Sequence, residues 1–294
     1  MVFSQGQPHY HHYEAAPLCA APLSHKPPSK DCKFQSKSIM TERTISAAEI
    51  AKAERLGQLC TVYKVDATTI VKSSDSIRLS EAATMKFVQT HTTIPVPEIY
   101  NAYQDPETGH VRIIMELVKG DCLDKVWDKF DESQKQTVID QLRDFFTQMR
   151  NIKGQFVGCV DGTACEDNIF TDLSYGPYDN EEQFNEGILK ALKSSRQGSY
   201  VDLVCEMVRT FKNHEIVLTH GDFAPRNILV QGTKVVAVLD WEMSGFYPEY
   251  WEYVKALWRP DWQSRWVKEK VSDQILKPYL TELAVVWHTR EITW

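Results

Sequence analysis

Three side chains with chemical potential stand close together in the run LTHGDFAPRNILV, residues 218–230, and a fourth closes the run KVVAVLD at 234–240. They are His220, Asp222, Asn227 and Asp240. An aspartate, an asparagine five positions on and a further aspartate at the end of an apolar run suit magnesium-assisted phosphoryl transfer. Mg2+ is a hard ion that takes oxygen ligands, and Asn227 and Asp240 can supply them together with nucleotide phosphates. Asp222 then remains to accept the proton of a substrate hydroxyl and to orient it in line with the γ-phosphate of ATP. His220 is expected to buttress the loop through hydrogen bonds rather than to perform the chemistry. Taken alone, Asp222 and Asn227 also read as loop residues that satisfy backbone N–H groups; the joint pattern with Asp240 and the upstream residues below favours catalysis.

Such groups need rigid elements on both sides. EIVLTH and NILV are strand-like, GDFAPR between them is a loop stiffened by its proline, and KVVAVLD is a buried strand that ends at Asp240. Upstream, ISAAEIAKAERL has helical character, and CTVYKVD and TTIVKS form a hairpin about a turn at Asp66–Ala67. LSEAATMKFVQTH follows as a helix with Ser80 as its N-cap; IPVPEIYNAYQD is extended because its prolines exclude helix, and VRIIMELV is another strand. Beyond Gly120 the pattern turns helical. Val138, Leu142, Phe145 and Met149 recur at helical spacing, Ile139 and Phe146 widen the stripe, and Asp131 with Gln134 form a cap pair. DNEEQFNEGILKAL starts a further helix, and residues 246–294 read as packed, tryptophan-rich helices.

HGDFAPRN together with LDWE resembles the Brenner-type motif of the aminoglycoside phosphotransferase and choline kinase family, a branch of the protein-kinase-like fold. The kinase signature H-R-D-L-x-x-x-N has the same Asp-to-Asn separation, but Gly221 stands where a protein kinase has Arg and no A-P-E element follows Asp240, which favours a small-molecule kinase. The resemblance covers roughly residues 50–265. It implies an α+β, bilobal architecture: a small antiparallel-sheet N-lobe with one main helix over 45–118 and a larger helical C-lobe over 119–294; residues 1–44, which mix Pro, Ser, His and Lys without periodicity, read as a disordered tail. It further implies that Lys72 in TIVKS contacts the α- and β-phosphates with Glu81 as its ion-pair partner, and that the Glu116 carbonyl and Val118 N–H in IIMELV hold the adenine edge. The expected cofactors are ATP and Mg2+, and the expected acceptor is a hydroxyl of a small molecule. One departure is the phosphate-covering loop, RLGQLCTVYKV, in which only Gly57 is present where kinases have G-x-G-x-x-G.

Composition narrows the field. The net charge of −7, without a basic patch, disfavours nucleic acid and anionic membranes as partners. The seven cysteines (Cys19, Cys32, Cys60, Cys122, Cys159, Cys165, Cys205) have no CxxC spacing, so neither a disulfide framework nor a zinc site is indicated and a cytoplasmic, reducing location is expected. No apolar run spans a bilayer or forms a signal-peptide core. His9, His11 and His12 read as part of a solvated tail. The aromatic run FYPEYWEYVKALWRPDW admits two readings, core or a box for a cationic amine beginning with Tyr250 and Trp251, with Glu249 and Glu252 nearby as attractants or as a solvated face. Glu242 is placed to reach the metal or cap a turn, and Arg226 to touch a phosphate or form a salt bridge within its loop. Two rivals stand beside the kinase: a catalytically inactive binding protein of the same fold, and a metal-dependent hydrolase using His220, Asp222 and Asp240 with His214 or His288.

Overall fold

The computed structural model describes residues 43–56, 61–165, 167, 176–258 and 260–293. The expectations for the tail up to residue 42, including His9, His11 and His12, and for Gly57 lie outside them. Chain order begins with helix α1, Ala47–Lys52, which Ser46 and Glu49 cap reciprocally. The helical stretch expected over 45–56 stops there, because Glu54–Arg55 pairs as strand β1 with Tyr63 and Lys64 of β2, Val62–Lys64. A short helix is marginal on propensity alone, so pairing with a sheet edge decides its end.

Strands β2 and β3, Thr69–Ser74, form the expected hairpin, with Asp66 Oδ1 accepting the Thr68 N–H at 2.9 Å inside the turn. Helix α2, Leu79–His91, follows, then β4, Ile99–Gln104, and β5, Val111–Glu116. The five strands make an antiparallel sheet in the order β1-β2-β3-β5-β4. Alternation along the pleat sends Val71 and Ile114 to one face with Ile45, while Lys72 and its cross-strand neighbour Ile113 take the other, the face that α2 covers. The start of α2 differs from expectation: Arg78 is the N-cap and makes no side-chain cap bond, while Ser80 lies inside the first turn, buried. Its hydroxyl is turned into the packing and so is not the residue that flanks the helix.

The second, mostly helical part begins with β6, Asp121–Cys122, helix α3, Leu123–Val126, and a 3₁₀ turn at Trp127–Lys129. Helix α4, Glu132–Asn151, carries the expected stripe: Val138, Ile139, Leu142, Phe145, Phe146 and Met149 are all buried, and Asp131 and Gln134 exchange the two capping bonds at 2.9 Å each. Asn180 caps α5, Glu181–Ser195, through the Gln183 N–H, and α6, Ser199–Val208, packs beside it. Two small sheets then carry the site loops. In one, β7, Ile216–Thr219, pairs with β10, Gly245–Pro248; in the other, β6 precedes β8, Ile228–Gln231, and β9, Lys234–Val238. Helices α7, Trp251–Ala256, α8, Arg265–Lys268, α9, Val271–Ile275, and α10, Leu280–Thr293, complete the chain. The architecture is the α+β, two-lobed, kinase-like one expected. The described cysteines Cys122, Cys159, Cys165 and Cys205 are free thiols, and no described helix is long and apolar enough to cross a membrane.

Candidate active site

Lys72 joins the nearby helix α2 to a segment some 170 residues further along the chain. Its ammonium donates to Glu81 Oε1 at 3.0 Å, to Asp240 Oδ1 at 2.7 Å and to Glu242 Oε2 at 3.0 Å. Glu81 is available because it sits in the first turn of α2 on the face covering the sheet, and its side chain is only 3% exposed. Burial alone would lower the Lys72 pKa, but the carboxylates of Glu81, Asp240 and Glu242 together raise it above its ordinary value, so the lysine stays charged. Burial pushes Glu81 up to about 7 against the pull of the same ammonium, consistent with a second oxygen, Oε2, that is buried without a partner. Glu242, read in the sequence as reaching the metal or capping a turn, here contacts the lysine.

The loop after β7 is held from below. The His220 imidazole Nε2 is paired with the Leu239 carbonyl at 2.9 Å, and its Nδ1 accepts the Asp222 N–H at 3.2 Å. His220 is fully buried and both ring nitrogens are engaged, as a buttress requires. Gly221 follows with φ +81°, and a Cβ there would lie 2.6 Å from the Met243 carbonyl oxygen. A residue with a side chain is therefore excluded by both backbone conformation and space, which explains the departure from the arginine of protein kinases. A 3₁₀ turn opened by Pro225 leads into β8, and Leu239 N–H donates to the Asn227 carbonyl at 2.8 Å, so the ends of β8 and β9 bring Asn227 beside Asp240.

Within that loop, the Asn227 amide donates to Asp222 Oδ2 and to the Asp222 carbonyl, both at 2.9 Å. Two acceptors fix the orientation of the amide and leave its Oδ1 free to meet a cation. Arg226 forms an ion pair with Asp222 Oδ1, the loop salt bridge foreseen in the sequence. Asp240 has φ +63° and keeps Oδ2 clear of the Lys72 contact. Among the described residues no three His, Cys, Asp or Glu side chains converge into a metal cage. Mg2+ held jointly with phosphates needs none, and two oxygen donors, Asn227 Oδ1 and Asp240 Oδ2, are the chemistry it takes. Asp222 also lines a cavity of about 610 Å³ between α3, the loop and α8.

Glu116 ends β5, its N–H bound to Glu98 O at 2.9 Å, and Leu117 N–H is bound to Thr68 O at 2.8 Å. Val118 lies immediately beyond, half-buried, and its N–H has no partner among the described residues.

The aromatic choice resolves to core, and the acidic reading of Glu252 is corrected. Tyr250 and Trp251 are both 0% exposed, packed with Phe184, Phe211 and Tyr247, so they are core and not an amine box. Glu252 is 1% exposed and neither attracts a ligand nor faces solvent: its carboxylate accepts the His220 N–H at 2.6 Å and the Gly221 N–H at 3.3 Å. Burial raises its pKa. Sequence reasoning missed this anchor, since nothing in the spacing of EYWEYV distinguishes an inward glutamate from an outward one. The other histidines of the hydrolase alternative are engaged elsewhere, His214 with Glu181 at 2.6 Å and His288 with Tyr200 at 3.0 Å.

Comparison with known proteins adds three findings. A family model described as the phosphotransferase enzyme family matches residues 61–284. No curated protein sequence matches. Solved structures of similar fold include aminoglycoside phosphotransferase APH(4)-Ia, 14% identical, with a TM-score of 0.55 over 83% of this chain and 88% of that one. The GDP complex of aminoglycoside 2'-phosphotransferase-IIIa is 12% identical, with a TM-score of 0.54 over 82% and 83%. A ternary complex of a thermostable APH(4)-Ia mutant with ADP and hygromycin B is 13% identical, with a TM-score of 0.55 over 81% and 83%.

Proposed function

The chain belongs to the phosphotransferase enzyme family, whose model spans residues 61–284, and we propose that it transfers the γ-phosphoryl group of ATP to a hydroxyl of a small molecule. The observation that carries this reading is the Lys72 ammonium, shared by Glu81 and Asp240 across 168 residues of sequence and set beside a loop that presents Asp222 and Asn227. Lys72, positioned by Glu81, would hold the α- and β-phosphates once they displace its contacts to Asp240 and Glu242. The Glu116 carbonyl and the Val118 N–H would take the adenine edge. We assign residues 45–118 to the nucleotide-covering lobe and 119–294 to the lobe that holds the catalytic loop and acceptor. Asn227 and Asp240 would hold Mg2+, which would supply positive charge to neutralise the phosphates.

Asp222 would accept the acceptor hydroxyl's proton as that oxygen forms a bond to the γ-phosphorus and the bond to the β,γ-bridging oxygen breaks, releasing ADP. Arg226 must first release Oδ1. Its guanidinium, more than half exposed, can do so at small cost, because solvent-exposed ion pairs are worth roughly 0–1 kcal/mol. The fold shared with an enzyme seen in a ternary complex with ADP and hygromycin B supports a nucleotide and a small molecule meeting in such a cleft.

Thermal unfolding with ATP, with and without Mg2+, tests the reading. A ligand at about a hundred times its Kd stabilises by roughly 2.7 kcal/mol, which is a rise of roughly 5–10 °C for a domain of this size. The rise is expected to need Mg2+ and to vanish in Asp240→Ala. A wild-type curve that no nucleotide moves would instead indicate a kinase-shaped binding protein.

A further inference from the structure

The carboxylates round Lys72 outnumber its charge. Glu81, at 3.0 Å, alone balances the ammonium, and yet Asp240 and Glu242 also lie 2.7 and 3.0 Å from it. Among the described residues no other cation is within ion-pair distance of either. The local backbone brings these two acids together. Asp240 has φ +63°, Trp241 turns inward against the His220 ring, and the Ser244 N–H closes the turn on the Trp241 carbonyl at 3.1 Å, so that Glu242 emerges on the same side as Asp240. Their side chains are 38% and 42% exposed, against 11% for Lys72, so the two carboxylates stand between solvent and the ammonium.

Resting on the phosphotransferase reading above, we propose that Glu242 makes the site select the magnesium complex of ATP over free ATP. In the empty site its carboxylate occupies the ammonium that the α- and β-phosphates need. A triphosphate without a cation must displace that carboxylate and then lie beside it and beside Asp240, with a single ammonium to offset them all. In a site partly sheltered from water this repulsion is larger than in bulk solvent. With magnesium the phosphates arrive largely neutralised, and the carboxylates no longer oppose them. Asp240 is needed as an oxygen donor to the ion, whereas Glu242 acts through its charge on the nucleotide, so the two roles separate in a variant that removes the Glu242 charge alone.

The test is isothermal titration of the full chain with ATP in EDTA and with ATP in excess Mg2+. It uses the wild type, Glu242→Gln, Glu242→Asp and Asp202→Asn, the last an exposed acid on α6 that controls for net charge. Free ATP is expected to bind Glu242→Gln about fivefold more tightly than wild type, the effect of one charge at a partly exposed pair, while the affinity for MgATP stays within about twofold. Glu242→Asp and Asp202→Asn are expected to keep the wild-type preference. Three outcomes would each overturn the proposal: free ATP that binds Glu242→Gln no more tightly than wild type, a preference that narrows only because MgATP binds more weakly, as loss of a metal ligand would cause, or an equal gain in either control. A wild type that binds neither form defeats the phosphotransferase reading and this inference with it, whereas a wild type that binds MgATP beside an unchanged Glu242→Gln defeats only this one.

Discussion

Asp222 is engaged at both oxygens, by Arg226 at Oδ1 and by the Asn227 amide at Oδ2, and its backbone N–H is bound to the ring of His220. A carboxylate held this firmly is oriented before substrate arrives, which is where a general base gains most of its effect. Asp222→Asn keeps the shape and much of the hydrogen bonding but cannot accept a proton. Its kcat is expected to fall by about 10²–10⁴, while ATP affinity measured by the melting-temperature shift stays within about twofold. An ATP-dependent ADP release rate equal to wild type would remove Asp222 from the mechanism.

At the scale of elements, the site depends on contacts that lie outside the motif. Helix α7 contributes Glu252, whose carboxylate satisfies two backbone N–H groups of the loop. Glu252→Gln offers a single acceptor atom and brings two donors into the same buried space, so stability should drop by about 1–3 kcal/mol, seen as a lower urea midpoint. Because the loop loses its anchor, kcat should fall more than KM changes; a variant with lower stability but unchanged kcat would limit Glu252 to a structural part. In the other lobe, Asp105 at the end of β4 is bound to Thr108 and, at 2.7 Å, to Arg112 of β5, and Arg112 also reaches the Ile45 carbonyl. Hydrogen bonds from Thr108, with Arg112 beside them, hold the Asp105 pKa below its ordinary 3.8. A depressed carboxylate contributes stability above that ordinary value and loses it as pH falls through the folded one. Urea midpoints are therefore expected to decline as pH drops below about 3.8, and Asp105→Asn should remove that component of the acid limb. An identical acid limb in the variant would show that other carboxylates carry it.

For the whole molecule, the described fold starts with residues that close its first sheet. Arg43 donates to Thr69 and Asp66, and Ile45, fully buried against Val71 and Ile114, exchanges hydrogen bonds with the Tyr103 hydroxyl. Two shortened chains separate this contribution from the helix that follows. A chain beginning at residue 46, which keeps the α1 capping box, is expected to melt roughly 5–10 °C below one beginning at residue 43, since it loses a buried isoleucine worth about 2–4 kcal/mol together with the bonds to Tyr103 and Arg112. Equal melting temperatures would mean that α1 alone, through its own capping box, sets the edge of the sheet.

The sequence by itself determined the strand carrying Lys72, the stripe and capping pair of α4 and the loop holding Asp222 and Asn227, because spacing of two, of three to four and of five residues is a local property of the backbone; the kinase-like class followed from the resemblance of its motifs. It named Asp240 from its place at the end of an apolar run and Glu81 only by resemblance; what puts both on the Lys72 ammonium is the tertiary packing that brings α2 and the end of β9 to the β3 lysine. Tertiary structure alone decided that Glu252 points inward while Glu242 meets Lys72, and that Tyr250 and Trp251 are core while Trp127, Trp258 and Trp266 line the cavity beside Asp222. In a six-residue helix such as α7, buried through most of its length, composition does not reveal which neighbour a side chain meets; that follows from elements folded against it from elsewhere in the chain.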